Sequence, residues 1–234
     1  RPWTPNRGLT AVERARLRLD EPGAHLYVKP ANGFSGKGIM HVEDVAPDRL
    51  TAALSAARDY DRRDTYLVQR EVLPPALPCE DGIERPAYWR VLSCFGELIP
   101  FWWSKLEAAH GQPSYRRLTA SEIQMHNLHP VLAYAQELAR LSQLQWFSTE
   151  LCLSDGCEIS KYRVRGSDGR DRPVLAIDYL NDQCDVDVQS RWAGAPPDAV
   201  VRDMAKRFAQ AAAARSEILP FRGRGPTVMR RSAA

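Results

Sequence analysis

The segment His25-Leu-Tyr-Val-Lys-Pro-Ala-Asn-Gly-Phe-Ser-Gly-Lys-Gly-Ile-Met-His-Val-Glu43 decides how the chain is read. Leu26, Tyr27 and Val28 make a short apolar strand, Lys29-Pro30 ends it, and Ile39 to Val42 return as a second strand. Gly33, Gly36 and Gly38 lie between them, so the segment is a hairpin with a glycine-rich tip. Glycines let successive backbone N–H groups turn toward an anion at close range, and Lys29 and Lys37 add two cationic side chains. A tip of this kind suits a triphosphate.

Two familiar phosphate loops do not fit it. A Walker A loop places four residues between its first glycine and Gly-Lys, follows them with Ser or Thr, and opens a helix. Here only Phe34 and Ser35 intervene, and Gly38 follows Lys37. The kinase pattern Gly-x-Gly-x-x-Gly is absent as well, since the order is Gly33-x-x-Gly36-x-Gly38. The segment resembles the glycine-rich hairpin of the ATP-grasp superfamily, whose small lobe closes over the phosphates of ATP. That resemblance assigns Lys29, Gly33, Ser35, Gly36, Lys37 and Gly38 to the nucleotide.

Working outward, Thr10 caps a helix running to Leu19, with Glu13 completing a capping box. Asp48 to Arg58 is an amphipathic helix and Thr65 to Gln69 an apolar strand. Gln69-Arg70-Glu71-Val72 leads into Pro74-Pro75-Ala76-Leu77-Pro78, a stiff extended connector. In the resembled fold this is the hinge between lobes. The resemblance then places Glu71 and Val72 at the base, counts Gln69 and Arg70 beside them among the nucleotide-binding residues, and offers Glu80 or Asp81 to the ribose.

Ala87 to Phe95 alternates as a strand, and Leu98 to Ser104 returns after the turn at Phe95-Gly96-Glu97. Arg90 interrupts an otherwise mainly apolar face, and a guanidinium there needs an anion. The resemblance makes that anion a phosphate or acylphosphate. Residues 105–127 are polar and irregular, and Lys105, Arg116 or Arg117 is a candidate for the γ-phosphate. Pro130 to Leu144 follows as a helix, with Leu132, Ala135, Leu138 and Leu141 at helical spacing.

The turn signals Ser154-Asp155-Gly156 and Ser167-Asp168-Gly169 divide the next region into three antiparallel strands, near 147–153, 157–164 and 173–179. The first carries Glu150, and the third ends in Asp178-Tyr179-Leu180-Asn181. Two carboxylates and an amide form a cluster of hard oxygens of the kind that holds magnesium. ATP-grasp proteins bind their metal in this way, with an acidic residue on one strand and an Asp/Glu-x-Asn pair on another. Here the pair is spaced Asp178-x-x-Asn181 and a strand lies between the carboxylates in sequence, which leaves either Asn181 or Asp182 to complete the site. The run through Asp178 is apolar from Val174 to Ile177, so the carboxylate is expected to be buried and therefore paired or metal-bound. A helix from Asp198 to about Arg215 and a basic tail close the chain.

Composition bounds the rest. The 234 residues suffice for two small lobes, and no apolar run reaches the roughly 20 residues of a membrane span. A net charge of +3 does not by itself argue for a nucleic-acid or membrane partner. The five cysteines are odd in number and contain no Cys-x-x-Cys pair, which favours reduced thiols in a cytoplasm.

The expected class is thus α+β, two lobes with antiparallel sheets clamping a nucleotide in the manner of the ATP-grasp fold. Residues 1–24 make an N-terminal loop and helix, 25–73 a small lobe, 74–195 a large lobe, and 196–234 a helix and tail. The resemblance implies ATP and Mg2+ as cofactors. Arg90, Lys105 and Arg116 would serve in catalysis, and Glu150, Asp178 and Asn181 in metal binding. The implied reaction activates a small-molecule or peptide carboxylate as an acylphosphate for attack by an amine or other nucleophile. A kinase on the same fold and a non-catalytic nucleotide-binding module are the alternatives. About two dozen residues ahead of the hairpin are too few for the substrate domain that usually precedes it. The chain is then either a piece of a longer protein or recognises substrate differently.

Overall fold

The computed structural model describes residues 9–30, 38–60, 65–104, 113–156, 158, 160–181 and 187–218. The chain divides after Leu73 into two compact units. Both are mixed α+β with antiparallel sheets, the expected class.

In the first unit, helix α1 (Ala11–Arg16) opens on the Thr10 and Glu13 capping box. Strands β1 (Leu26–Pro30), β2 (Met40–Val42) and β3 (Tyr66–Arg70) form a sheet in the order β2-β1-β3, and α2 (Pro47–Tyr60) joins β2 to β3. Along β1 the side chains of Leu26, Val28 and Pro30 are buried, and those of Tyr27 and Lys29 stand on the opposite, half-buried face. The buried face packs Leu26, Val28, Val42 and Tyr66 against Leu19 and Leu50. Burying each such side chain contributes about 1.5–3 kcal/mol. Gly38 sits at φ +73°, a conformation that disfavours any side chain, at the point where the chain enters β2. Gly33, Ser35, Gly36 and Lys37 lie outside the described residues, as do Lys105 and Asp182, the alternative to Asn181.

The second unit is built on a six-stranded sheet ordered β10-β11-β9-β6-β7-β8, with strands β6 (Tyr88–Cys94), β7 (Glu97–Trp103), β8 (Tyr115–Arg117), β9 (Trp146–Leu153), β10 (Arg163–Arg165) and β11 (Asp171–Asn181). A two-stranded ladder of β4 (Ala76–Pro78) and β5 (Glu84–Pro86) stands apart from it. The proline-rich stretch is therefore partly a strand rather than only a stiff connector. Proline is tolerated there because a two-stranded ladder is all edge. The segment read as irregular between 105 and 127 also holds more order than expected, namely β8 and helix α3 (Ala120–Met125). That helix opens on a capping box formed by Thr119 and Glu122.

One face of this sheet packs Trp89, Val91, Trp102, Leu151 and Val174 against Leu128, Val131 and Ala135 of helix α4 (His129–Ser142) and its N-cap. At one end of the other face, Leu92, Cys94, Ile99, Phe101 and Tyr115 are covered by Met204 of helix α5 (Asp198–Ile218), with Val200 against them. The rest of that face is where polar side chains gather.

Candidate functional site

Register places Arg90 of β6 opposite Glu150 of β9, and Glu150 opposite Asp178 of β11. Three of the charged residues singled out in the sequence thus form one row across three neighbouring strands. Glu150 and Asp178 are separated in sequence by β10, yet they are neighbours because β11 inserts between β9 and β10 and leaves β10 at the edge.

The unusual Asp178-x-x-Asn181 spacing has an equally direct explanation. In a regular strand, residues three apart point to opposite faces. Here β11 carries two register shifts, one between Ala176 and Asp178 and one between Asp178 and Asn181. From the Asp178–Glu150 pair to the Asn181–Ser148 pair, β11 advances three residues while β9 advances two. The extra residue is a β-bulge, and it brings Asn181 opposite Ser148, which shares the Glu150 face of β9. Asp178 itself is exposed, contrary to the burial expected from the apolar run before it. The bulge breaks the strand's regular alternation at this point, so that run does not continue into a buried position.

Around this row the supporting contacts are specific. Tyr88 donates its hydroxyl to Glu150 Oε2 at 2.6 Å, and Arg90 Nη1 stands 3.7 Å from Glu150 Oε1. Arg90 donates from Nε and Nη2 to Ser148 Oγ at 3.3 and 3.1 Å. Its guanidinium also lies over the rings of Trp103 at 5.4 Å and Tyr115 at 5.9 Å. Arg90 and Glu150 side chains are each 14% exposed, enough for a ligand to reach and little enough to keep their charges strong. Burial pushes the Tyr88 hydroxyl far above the ordinary phenol range, and the Glu150 charge pushes the same way, so Tyr88 stays a hydrogen-bond donor at neutral pH.

Arg116 belongs elsewhere. It pairs in register with Trp102, on the face opposite Arg90, and its guanidinium contacts Glu122 Oε1 at 2.7 Å and Asp81 Oδ2 at 3.2 Å. Strand alternation is the reason, and it puts Arg117, opposite Phe101, on the Arg90 side instead. The two ribose candidates are also engaged within the second unit. Glu80 accepts from Thr119 Oγ1 at 3.0 Å and from Ser121, and Asp81 pairs with Arg85 at 2.8 Å.

In the first unit Lys29 Nζ donates to Gln69 Oε1 at 2.7 Å, on the face away from the core. Arg70 reaches Glu21 at 2.8 Å. The Glu71 N–H donates to the His25 carbonyl at 2.9 Å, and the Glu71 carboxylate meets His25 Nδ1 at 2.9 Å, the Tyr27 hydroxyl at 3.1 Å and His41 Nε2 at 3.3 Å. Both its N–H and its carboxylate are therefore occupied within the unit. Val72, the last of the proposed hinge residues, is half-buried. Sequence reasoning did not single out Tyr88, Ser148 or Trp103 for the second unit's cluster. The alternation of Ala87 to Phe95 placed Tyr88 on the Arg90 face, and the i, i+2 relation of Ser148 to Glu150 was equally readable.

The donor set of Glu150, Asp178 and Asn181 is all oxygen, with one carboxylate exposed and the other already accepting one hydrogen bond. Hard divalent cations such as Mg2+ favour that chemistry, and the residues fit such an ion.

The fold and this cluster define an antiparallel α+β protein with a row of charged and polar side chains on one sheet face. No family model matches the chain, and no curated protein matches it. Among solved structures, D-alanyl-alanine synthetase A from Vibrio cholerae aligns at 16% identity and TM-score 0.37, over 77% of this chain and 50% of that one. The chain thus spans half the length of that structure, and at this score the similarity adds nothing to the geometry.

Proposed function

We propose that the chain carries out an ATP- and magnesium-dependent ligation of the ATP-grasp type, activating a carboxylate as an acylphosphate that an amine or other nucleophile then attacks. The observation that carries this reading is the row Arg90–Glu150–Asp178, with Asn181 returned to the same face by the bulge. Glu150, Asp178 and Asn181 would hold Mg2+, which when bound neutralises charge on the phosphates.

The chain's own residues contribute position and charge. Arg90 is held by Ser148 and by the faces of Trp103 and Tyr115, so its cation is aimed before any substrate arrives. A fixed guanidinium of this kind stabilises charge as it builds on a transferring phosphoryl group without reorganising at that moment. Tyr88 orients Glu150 by its short hydrogen bond. Lys29, steered by Gln69, would meet a phosphate, and backbone at Val72 would meet the base.

In the first step a substrate carboxylate oxygen bonds to the γ-phosphorus as the bond to ADP breaks. In the second, the nucleophile bonds to the acyl carbon, inorganic phosphate leaves, and the nucleophile's proton passes to solvent. Pools of carboxylates and amines, screened by mass spectrometry for ADP formation, test this. ADP release that needs both a carboxylate and an amine is expected. Phosphate transfer to a hydroxyl would instead establish a kinase, and tight ATP binding without turnover a non-catalytic module.

A further inference from the structure

The geometry points to a metal site in the first unit, in which His25, His41 and Glu71 bind a divalent transition metal of the zinc class. The inference does not rest on the ligase reading, because the cluster lies within the first unit and its ligands are read in the absence of nucleotide. One ligand comes from each strand of the small sheet or its flank: His25 just ahead of the central β1, His41 within β2, and Glu71 just past β3. One ligating atom from each residue lies within 4.8 Å of the other two.

The spacing suits a small ion. Bonds of about 2.0–2.1 Å in a tetrahedral centre separate the ligand atoms by roughly 3.3 Å. Glu71 Oε2 is 2.9 Å from His25 Nδ1, and Glu71 Oε1 is 3.3 Å from His41 Nε2, so small adjustments admit the metal. Two neutral imidazoles and one carboxylate are the donor types that favour zinc over magnesium, and three protein ligands leave a fourth position for water.

A second observation supports the assignment. Metal-bound histidines are commonly oriented by a carboxylate on their other ring nitrogen. Here Glu43 Oε1 stands 3.7 Å from His41 Nδ1, on the side away from Glu71. Tyr27 stacks on the His41 ring at 4.7 Å between centroids and donates its hydroxyl to Glu71 Oε1, holding both ligands. Glu71 is 16% exposed and the two histidines about a third, so an ion can enter from solvent.

The test uses the full chain, free of nucleotide, titrated with Co2+ as a visible reporter and then with Zn2+ in competition. We expect one equivalent of Co2+ to give the absorption of a low-coordinate site, with no sulfur-to-cobalt charge-transfer band, and Zn2+ to displace it. His25→Asn and His41→Asn should each weaken binding by at least about 100-fold, the upper end of the effect of losing a mere supporting group. Glu150→Gln should leave it unchanged. In the unsubstituted chain, the NMR resonances of both histidine rings should shift on adding Zn2+, a readout independent of any variant's folding. The inference is overturned by absence of stoichiometric binding, by a thiolate charge-transfer band, by unchanged affinity in both histidine variants, or by histidine resonances that do not move.

Discussion

Two glutamates of the second unit sit on opposite faces of one sheet and have opposite surroundings. Glu122 is fully buried, and its carboxylate receives the Trp102 indole at 3.1 Å, Arg116 at 2.7 Å, and the backbone N–H groups of Glu80 and Thr119 at 3.1 and 3.2 Å. Among the described residues, Glu150 receives one short hydrogen bond, from Tyr88, and Arg90 stands near it beyond hydrogen-bond reach. The first carboxylate has its lone pairs filled by the fold. The second keeps acceptor capacity in reserve, which is what a cation needs. Degree of saturation, more than burial, separates the carboxylate that builds the fold from the one proposed to bind.

That contrast can be broken most forcefully by exchanging each carboxylate for its amide. Glu150→Gln should slow ADP release by at least about 100-fold, in the range seen when one electrostatic stabiliser is removed, and shift the melting temperature by no more than about 2 °C. Glu122→Gln should do the reverse, costing about 1–3 kcal/mol of stability because the amide NH2 cannot accept from the donors that the carboxylate satisfies, while Arg116 keeps Asp81. Its turnover per folded molecule should be unchanged. Calorimetry and single-turnover kinetics on the same samples decide, and a swap of the two phenotypes would end the distinction.

A smaller effect separates the two arginines. Arg116→Met removes one of four donors to Glu122 and should cost about 1–3 kcal/mol in urea unfolding with kcat untouched. Arg90→Lys keeps a charge but loses the planar fork that reaches Ser148. It should lower kcat by about 10-fold or more while stability holds.

The smallest effect is a pH dependence. Burial alone would raise the Glu122 pKa, but the indole, the two backbone N–H groups and Arg116 outweigh it and hold the carboxyl below the ordinary 4.5. A depressed folded-state pKa means that the ionised group stabilises the protein above the unfolded value. The contribution is lost as pH falls through the folded value. The stability gap between the unsubstituted protein and Glu122→Gln should therefore be constant from neutral pH to about 4.5 and shrink below it. A gap that widened in acid would contradict the assigned donors.

Much of this was legible in the residues themselves. The antiparallel return of β2 onto β1 and helix α2 follow from strand pattern and periodicity, both of which are local. The carboxylates Glu150 and Asp178 were readable as a pair because each sits on a strand bounded by turn residues. What could not be read was the register that makes them neighbours. The order β10-β11-β9 and the bulges at Asp178 depend on pairing between segments far apart in the chain, and nothing local encodes that. Arg116 illustrates the same limit, since its face depended on where β8 begins. The Glu122 hub lay closer to hand. Thr119-x-x-Glu122 is a capping box that was readable from spacing alone.

The edge position of β10 bears on how the chain can vary. The three strands that carry the polar row pair on both sides, so changes confined to the rim strand and its Ser167–Gly169 turn would not alter the alignment of Arg90, Glu150 and Asp178. That turn is exposed and tight, with Gly169 at φ +75°. A reporter or affinity tag spliced into it would report on the protein without touching its chemistry.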